Sequence, residues 1–485
     1  MIVKRFYDAK LAQTSYLIGC GRSGTAVVID ANRDAEQYVR AAAAEEVRIT
    51  DVTETHIHAD FVSGSRELAQ LTGATLRLSD EGTADWKYAY AAEAGAVLLH
   101  DGDHFMVGNV RITVVHTPGH TPEHVSFLVT DTAAANEPIA IVTGDFVFVG
   151  DVGRPDLLER AAKVQGSMDG AARTLFRSIA RFKTLPDWMQ VWPGHGAGSA
   201  CGKGLSAVPH STVGYERLFN WALSITSEDE FVRTVLDGQP EPPVYFAEMK
   251  RINKQGPAIL GGFTRPPRQR GQALGALLDG GALIIDTRSA VAFASGHVPG
   301  TINIPLDKSF TTWAGWLIPY TRDFYLIIDD RPSERVEEAI RDLAMIGLDR
   351  VAGWFGRDAI EAWPSDGRAL EPVAQISALN AAARIARGEV EVLDVRGQTE
   401  WESGHVADAQ HIPLGYLGDR RAELPRGKPI VVHCEAGARS AIAASLLQAA
   451  GVPNVINMTG GFEAWRGARL PVETGARAAA YAGVR

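Results

Sequence analysis

Short runs of β-branched and aliphatic residues, each stopped by a polar or glycine-rich turn, recur through the first 250 or so residues. Ala26–Asp30 (AVVID), Arg111–Val115 (RITVV) and Ile139–Thr143 (IAIVT) are of this kind, and such runs predict strands. Between them Ala172, Phe176, Ile179 and Phe182 recur at three-to-four spacing and predict one buried helix face. The region reads as α/β, with stacked sheets covered by helices. The pattern breaks between Glu241 and Arg270, where Pro242-Pro243, Gly256-Pro257, Pro266-Pro267 and several basic residues mark a linker.

Beyond the linker the pattern repeats. Ile284-Ile285-Asp286-Thr287-Arg288 followed by Ser295-Gly296-His297-Val298 returns as Val392-Leu393-Asp394-Val395-Arg396 followed by Ser403-Gly404-His405-Val406. Asp286 and Asp394 are 108 residues apart, and so are His297 and His405. Each copy continues through Ile-Pro (Ile304-Pro305, Ile412-Pro413) to an apolar strand and a helix, so two tandem α/β domains of about 100 residues are expected. Pro364 to Pro372 reads as the link between them.

The chain has 485 residues, a prior of about three domains. With 48 basic and 58 acidic side chains the net charge is −10, and no Lys/Arg-rich run supplies the footprint of a nucleic-acid binder. A content of 46% hydrophobic and 22% charged residues excludes extended disorder. Three cysteines cannot form a disulfide framework and point to a reducing compartment. The N-terminus lacks an apolar signal core, and no uninterrupted apolar stretch approaches the roughly 18 residues that span a bilayer. A soluble, cytoplasmic protein without membrane or nucleic-acid partners is expected.

Thr55-His56-Ile57-His58-Ala59-Asp60-Phe61 follows an expected strand end, and alternation places His56 and His58 on one side of an extended segment. Later come Gly119-His120, Gly144-Asp145 and Gly194-His195, each after an apolar strand and beside glycine. Four such segments in one domain point to a metal site gathered at one sheet edge.

On these motifs, residues 1–252 resemble the metallo-β-lactamase fold, an αββα sandwich whose motif is His-x-His-x-Asp-His with a distal His, Asp and His. Phe61 stands where the last His of the motif belongs, so the second metal site loses a nitrogen ligand and a two-zinc thioester hydrolase is disfavoured. What remains is similar to the persulfide dioxygenase branch, which implies one Fe(II) per domain held by His56, His120 and Asp145. A face of two histidines and a carboxylate leaves open positions for oxygen and a sulfur ligand. The resemblance makes His58, Asp60 and His195 supporting groups that orient ligands and water, with His58 a direct ligand in a mononuclear zinc variant. Phe148 to Asp156 is similar to the Gly-Arg-x-Asp segment of that branch, which makes Arg154 the candidate for an anionic part of the substrate. His100, His104, His116, His124 and His210 read as packing or surface residues, and Cys20 as structural. Cys201, in a glycine-rich stretch after His195, is a candidate thiol relay if its loop reaches the metal, against the plainer reading of a loop cysteine.

In the last repeat the strand Ile430–His433 leads into Cys434-Glu435-Ala436-Gly437-Ala438-Arg439-Ser440 and then a helix. A tight loop ahead of a helix N-terminus aims N–H groups and a positive dipole at the sulfur, and with Arg439 nearby it favours thiolate. Residues 374–475 resemble a rhodanese domain, with Cys-x-x-Gly-x-Arg and a closing Gly460-Gly461-Phe462-x-Ala464-Trp465. Cysteine phosphatases place Arg six positions after Cys; here the interval is five, a smaller cradle that suits sulfane sulfur. The resemblance makes Cys434 and Arg439 catalytic. In residues 268–364 Asp330 occupies the cysteine's place and Arg335 keeps the five-residue offset. A carboxylate cannot carry sulfane sulfur, so this degenerate copy reads as a spacer or docking surface, with Arg335 a candidate anion contact.

The whole order resembles the bacterial persulfide dioxygenase–sulfurtransferase fusions. It implies oxidation of a low-molecular-weight thiol persulfide by O2 to sulfite and thiol, with rhodanese sulfur transfer giving or using thiosulfate, in a homo-oligomer (dimer or tetramer). The alternatives are a mononuclear zinc glutathione-thioester hydrolase with a rhodanese appendage, and a non-enzymatic persulfide sensor. Metal content and turnover separate them.

Overall fold

The computed structural model describes residues 1–160, 166–239 and 241–475. Met1–Thr264 with Arg341–Gly347 form one compact unit, and Arg265–Ile340 with the chain from Leu348 onward form the other.

The first unit holds two six-stranded sheets. The first runs in chain order through β1 (Ile2–Asp8), β2 (Gln13–Cys20), β3 (Thr25–Ile29), β4 (Arg48–Thr53), β5 (Thr75–Ser79) and β6 (Val97–Leu99). The second runs β12 (Ser211–Thr212), β11 (Gln190–Pro193), β10 (Ala140–Gly144), β9 (Val125–Asp131), β8 (Val110–His116), β7 (His104–Val107). Alternation sorts the side chains of β2 and β3 into two layers. Ile18, Val27 and Ile29 share a core with Ile112, Val114 and Phe127 of the second sheet, whereas Leu17 and Val28 pack with Tyr38 and Leu68 of the covering helices. On the other flank the helix Met168–Phe182 buries Ala172, Ile179 and Phe182, three of the four positions its spacing predicts, and Phe176 is partly buried beside them. This is the αββα sandwich.

The stretch expected as a linker is partly folded. Tyr245–Gln255 is a helix that buries Tyr245, Phe246, Met249 and Asn253 in the first unit. The prolines cluster on either side of it, which is why composition alone obscured an 11-residue helix.

In the second unit both repeats are parallel sheets. The middle copy has the order β14 (Ile302–Asn303), β13 (Leu283–Asp286), β15 (Phe324–Ile327), β16 (Val351–Phe355). The last copy has the order β17 (Ala374–Ser377), β21 (Val455–Thr459), β20 (Ile430–His433), β18 (Glu391–Asp394), β19 (Gln410–His411). The sequence repeat has a physical basis. In each copy an arginine grips the aspartate two residues earlier, Arg288 on Asp286 and Arg396 on Asp394, both with Nη2 at 2.7 Å. In each copy the repeated histidine stacks on an aromatic ring four residues earlier, His297 on Phe293 and His405 on Trp401. No helix among the described residues is long and apolar enough to cross a membrane.

Candidate metal centre and sulfur-transfer loop

The histidine and aspartate segments all follow strand ends. His56 lies just beyond β4, His120 beyond β8, Asp145 directly after β10 and His195 just after β11. Gly144 makes the last turn of β10 feasible: its φ is +49°, and a Cβ there would sit 2.4 Å from Thr55 Oγ1.

One donor atom each from His56, His120 and Asp145 lies within 4.8 Å of the others, and all three residues are buried. His120 Nε2 is 3.6 Å and His56 Nε2 3.9 Å from Asp145 Oδ2. The hydrogen bonds fix which nitrogens face the centre. Thr55 donates its hydroxyl to Asp30 Oδ2 (2.9 Å), so its oxygen accepts from His56 Nδ1–H at 2.9 Å. His120 Nδ1–H donates to the Arg154 carbonyl at 3.1 Å. Both Nε2 lone pairs are therefore turned inward. Burial lowers both imidazoles, His56 well below its ordinary value and His120 to about 4, so both are neutral at pH 7. His56 Nε2 and Asp145 Oδ2 are buried without a hydrogen-bond partner. The orphaned atoms of His56 and Asp145, with the inward-turned Nε2 of neutral His120 3.6 Å from the same carboxylate oxygen, are what a divalent ion needs, and the residues fit one.

The surrounding groups divide differently from their sequence spacing. His58 stands next to His56, with ring centroids 4.2 Å apart, but directs Nε2 to Asp30 Oδ1 at 3.2 Å. Burial is the largest influence and would lower it, yet the Asp30 charge and hydrogen bond with the Glu54 and Asp60 charges together outweigh burial, and its pKa sits at about 9. His195 is held at both nitrogens, Nδ1 on Asp145 Oδ1 and Nε2 on Asp60 Oδ2, each at 2.7 Å. Burial opposes its charge, but Asp145 and Asp60 raise its pKa well above the ordinary value. The imidazolium in turn holds the Asp145 carboxyl below the usual range despite burial.

Cys201 is brought to this pocket. It is buried, and its sulfur groups with Asp60 and His195 within 4.8 Å. The pocket beside the ligand set thus lacks the nitrogen that Phe61 displaces but holds a thiol, which the motif alone did not indicate. Phe61 packs on His58 instead, ring centroids 4.4 Å apart. Burial and then the Asp145 and Asp60 charges push the Cys201 thiol well above its ordinary value, which keeps it protonated and a weak nucleophile.

The expected substrate role of Arg154 needs correction. Its guanidinium is fully buried, makes two bonds to Asp156 (3.0 and 2.7 Å) and donates to the Ala200 carbonyl at 3.0 Å. It holds the Cys201 loop, and its own carbonyl orients His120.

Three supporting residues escaped the sequence reading. Asp30 accepts from the Thr55 N–H (2.6 Å) and hydroxyl and from His58, tying the motif to β3. His124 is buried as expected of a packing residue, but its Nε2 also accepts the Asp145 N–H at 3.1 Å and its ring stacks on His56. Asn253, inside the stretch expected as a linker, donates to the carbonyls of His58 (2.8 Å) and Phe61 (2.7 Å) and accepts the Ser63 N–H (2.9 Å). His124 could have been found from its position four residues after His120. Asn253 carries no local signal.

In the last copy Cys434 follows β20 and is buried. Gly437, at φ +103°, donates its N–H to Sγ at 3.1 Å, and the helix Ala438–Ala449 starts at the next residue. Arg439 lies near enough for its charge to act on Cys434, as expected, but its hydrogen bonds go elsewhere. Its two Nη groups bind Glu400 at 2.6 Å each, so backbone N–H and helix dipole face the thiol while Arg439 braces the loop. The closing glycine pair packs on the loop: Phe462 N–H donates to the Cys434 carbonyl at 2.7 Å. In the middle copy Asp330 pairs with Arg268 at 3.3 Å.

A buried His-His-Asp centre on an αββα sandwich, followed by one cysteine-less and one cysteine-bearing copy of a parallel α/β domain, defines the class. The metallo-beta-lactamase superfamily pattern matches residues 9–195, and the rhodanese-like domain pattern matches residues 271–351 and 377–468. The chain is 30% identical to the persulfide dioxygenase ETHE1 of Bos taurus, across 48% of this chain and 80% of that protein. It is 27% identical to a hydroxyacylglutathione hydrolase of Rhodopseudomonas palustris, across 49% of this chain and 80% of that one. Among solved structures, a metallo-beta-lactamase from Staphylococcus aureus superposes with a TM-score of 0.67 at 44% identity, across 73% of this chain and 99% of that chain. The chain belongs to the metallo-β-lactamase superfamily, as a fusion of that domain with two rhodanese-like domains.

Proposed function

We propose that the protein is an iron-dependent persulfide dioxygenase coupled to a sulfurtransferase. A low-molecular-weight thiol persulfide, O2 and water give the thiol and sulfite in the first domain. Cys434 then passes a sulfane sulfur from a second persulfide to sulfite, giving thiosulfate, or runs the same exchange in reverse. The observation that carries the reading is the convergence of two neutral imidazoles and one carboxylate, with His56 Nε2 and Asp145 Oδ2 buried and unpartnered. A ferrous ion held there by His56, His120 and Asp145 supplies open positions for O2 and for a thiolate-like sulfur. The chain's own residues set the conditions. Thr55 and the Arg154 carbonyl fix the tautomers of the two histidines, and His124 holds the Asp145 backbone. His195, bonded on both nitrogens to carboxylates, places a proton rather than a lone pair beside the centre.

At the second site the Gly437 N–H and the helix terminus face the Cys434 sulfur that accepts sulfane sulfur. Sharing one chain keeps sulfite concentrated near its acceptor.

The hydroxyacylglutathione hydrolase relative supports a second reading, a mononuclear zinc thioesterase. Anaerobic purification followed by metal analysis and oxygen uptake with glutathione persulfide separates the two. About one iron per chain and persulfide-dependent uptake are expected, both lost in His120→Ala while thiosulfate–cyanide sulfur transfer persists. Stoichiometric zinc with thioester hydrolysis and no oxygen uptake would sink the dioxygenase reading.

A further inference from the structure

The cysteine-less copy keeps a cleft. A cavity of about 540 Å³ opens beyond the carboxyl ends of β13 and β15, lined by Arg288 after the first strand and Asp329 after the second. That is where open α/β sheets bind ligands, and the volume lies in the range of small-molecule sites. The middle copy has no cysteine, and the residue that directly follows its strand, as Cys434 follows β20, is Ile328, so it cannot carry sulfane sulfur and the cleft is left with binding as its chemistry.

Its charges specify what it binds. Arg288 is spent on Asp286, but Arg335 donates only Nη2, to the Leu306 carbonyl at 3.3 Å, and its Nε is buried without a partner. Arg357 supplies a second guanidinium, held at Nε by Glu361 one turn on. Asp329 lines the same cavity and supplies a carboxylate, whose Oδ1 is buried without a partner. Guanidinium groups of Arg335 and Arg357 together with the carboxylates of Asp329 and Asp307 in one cleft fit a zwitterion, with carboxylate toward the arginines and ammonium toward Asp329.

The far wall belongs to the last copy. Ala438 and Ile442 line the cavity, and they sit in the first turns of the helix that follows the Cys434 loop. A second cavity of about 400 Å³ shares Ala290 with the first and is lined by Ala436 and Gly437 of that loop. The two cavities are thus neighbours at Ala290, and the second lies against the sulfur-carrying loop.

We propose that this cleft binds the low-molecular-weight thiol that exchanges sulfur with Cys434, and that it selects a thiol bearing both carboxylate and ammonium groups, the chemistry of a γ-glutamyl peptide thiol. The proposal rests on the reading of Cys434 as a sulfur carrier. In the exchange the bound thiolate attacks the outer sulfur of the Cys434 persulfide. The new S–S bond forms as the bond to Sγ breaks, the electron pair returns to Sγ as thiolate, and the transferred sulfur keeps its proton. No oxidant or reductant is consumed.

The test titrates the full chain with S-methylglutathione, which cannot take up sulfur, and follows heat by calorimetry. Wild type and Cys434→Ser should bind alike, whereas Arg335→Gln/Arg357→Gln and, separately, Asp329→Asn should bind about tenfold more weakly. With thiosulfate as donor, the same variants should raise KM for glutathione about tenfold at near-constant kcat and leave transfer to cyanide unchanged. No binding to wild type, equal binding to the variants, or a matching loss with cyanide would overturn the proposal. A wild-type protein that transfers no sulfur even to cyanide would instead overturn the Cys434 reading, and the titration would still decide the cleft.

Discussion

Asn253 offers the sharpest test of how the metal centre is held. Its carboxamide saturates three backbone groups of the loop that follows His56: the carbonyls of His58 and Phe61 and the N–H of Ser63. The residue is 1% exposed, so the loop groups it satisfies have no ready solvent. Asn253→Ala removes three hydrogen bonds, and each buried group left unsatisfied costs about 1–3 kcal/mol. Water entering the vacated space recovers part of this, leaving about 2–4 kcal/mol against the ordered loop. If metal binding must restore that order, about 2 kcal/mol alone weakens affinity roughly thirtyfold. Asn253→Asp is the same size and keeps the acceptor for Ser63, but it turns a carboxylate oxygen toward two carbonyls and should do no better. The assay is metal retained per chain after dialysis against a graded chelator series, with thiosulfate–cyanide transfer at Cys434 as the control for an intact protein. Wild-type metal retention in both variants would show that the helix Tyr245–Gln255 is only packed against the loop and does not set its geometry.

Three further perturbations probe the sulfur-transfer loop and the repeated histidine. Cys434→Ser keeps the loop and the helix terminus but cannot accept sulfane sulfur, so oxygen uptake should continue while the product changes from thiosulfate to sulfite; anion chromatography showing wild-type thiosulfate would contradict the assignment. Gly461→Ala would place a Cβ 2.4 Å from the Cys434 carbonyl at a residue with φ +57°, so sulfur transfer should fall at least tenfold with persulfide-dependent oxygen uptake unchanged, and full transfer activity would show that the loop yields freely. His297 is held at about 4 chiefly by burial. The unfolded chain protonates near 6.5 and the folded chain near 4, so the unfolded state binds more protons between these values and stability falls as pH drops through that window. Between pH 7 and 5 the urea midpoint of the rhodanese-like unit should decline by an amount equivalent to about 1–2 kcal/mol, and His297→Gln should flatten that dependence; an equal decline in the variant would assign it to other groups.

The sequence by itself determined the class and the order of the domains. Strand runs and their turns, the 108-residue repeat and the His, Asp and Cys motifs are local patterns, and local patterns survive without coordinates. The motifs gathered His56, His58, Asp60, His120, Asp145 and His195 as metal-site candidates, and the resemblance to persulfide dioxygenases implied His56, His120 and Asp145 among them. What the pairing of distant segments decides was out of reach. Arg154 looked like a contact for an anionic part of the substrate until Asp156 and the Ala200 carbonyl enclosed it. Arg439 was placed near Cys434 by its motif, but only the fold gave both its Nη groups to Glu400, 39 residues earlier. Asn253 sat in a proline-rich stretch, yet it lies 195 residues from the His58 carbonyl it binds. A side chain's charge and hydrogen-bonding capacity are written in its type, but which partner uses them up is set by the fold. The tertiary structure alone therefore separated the groups that face the centre from those that hold it in place.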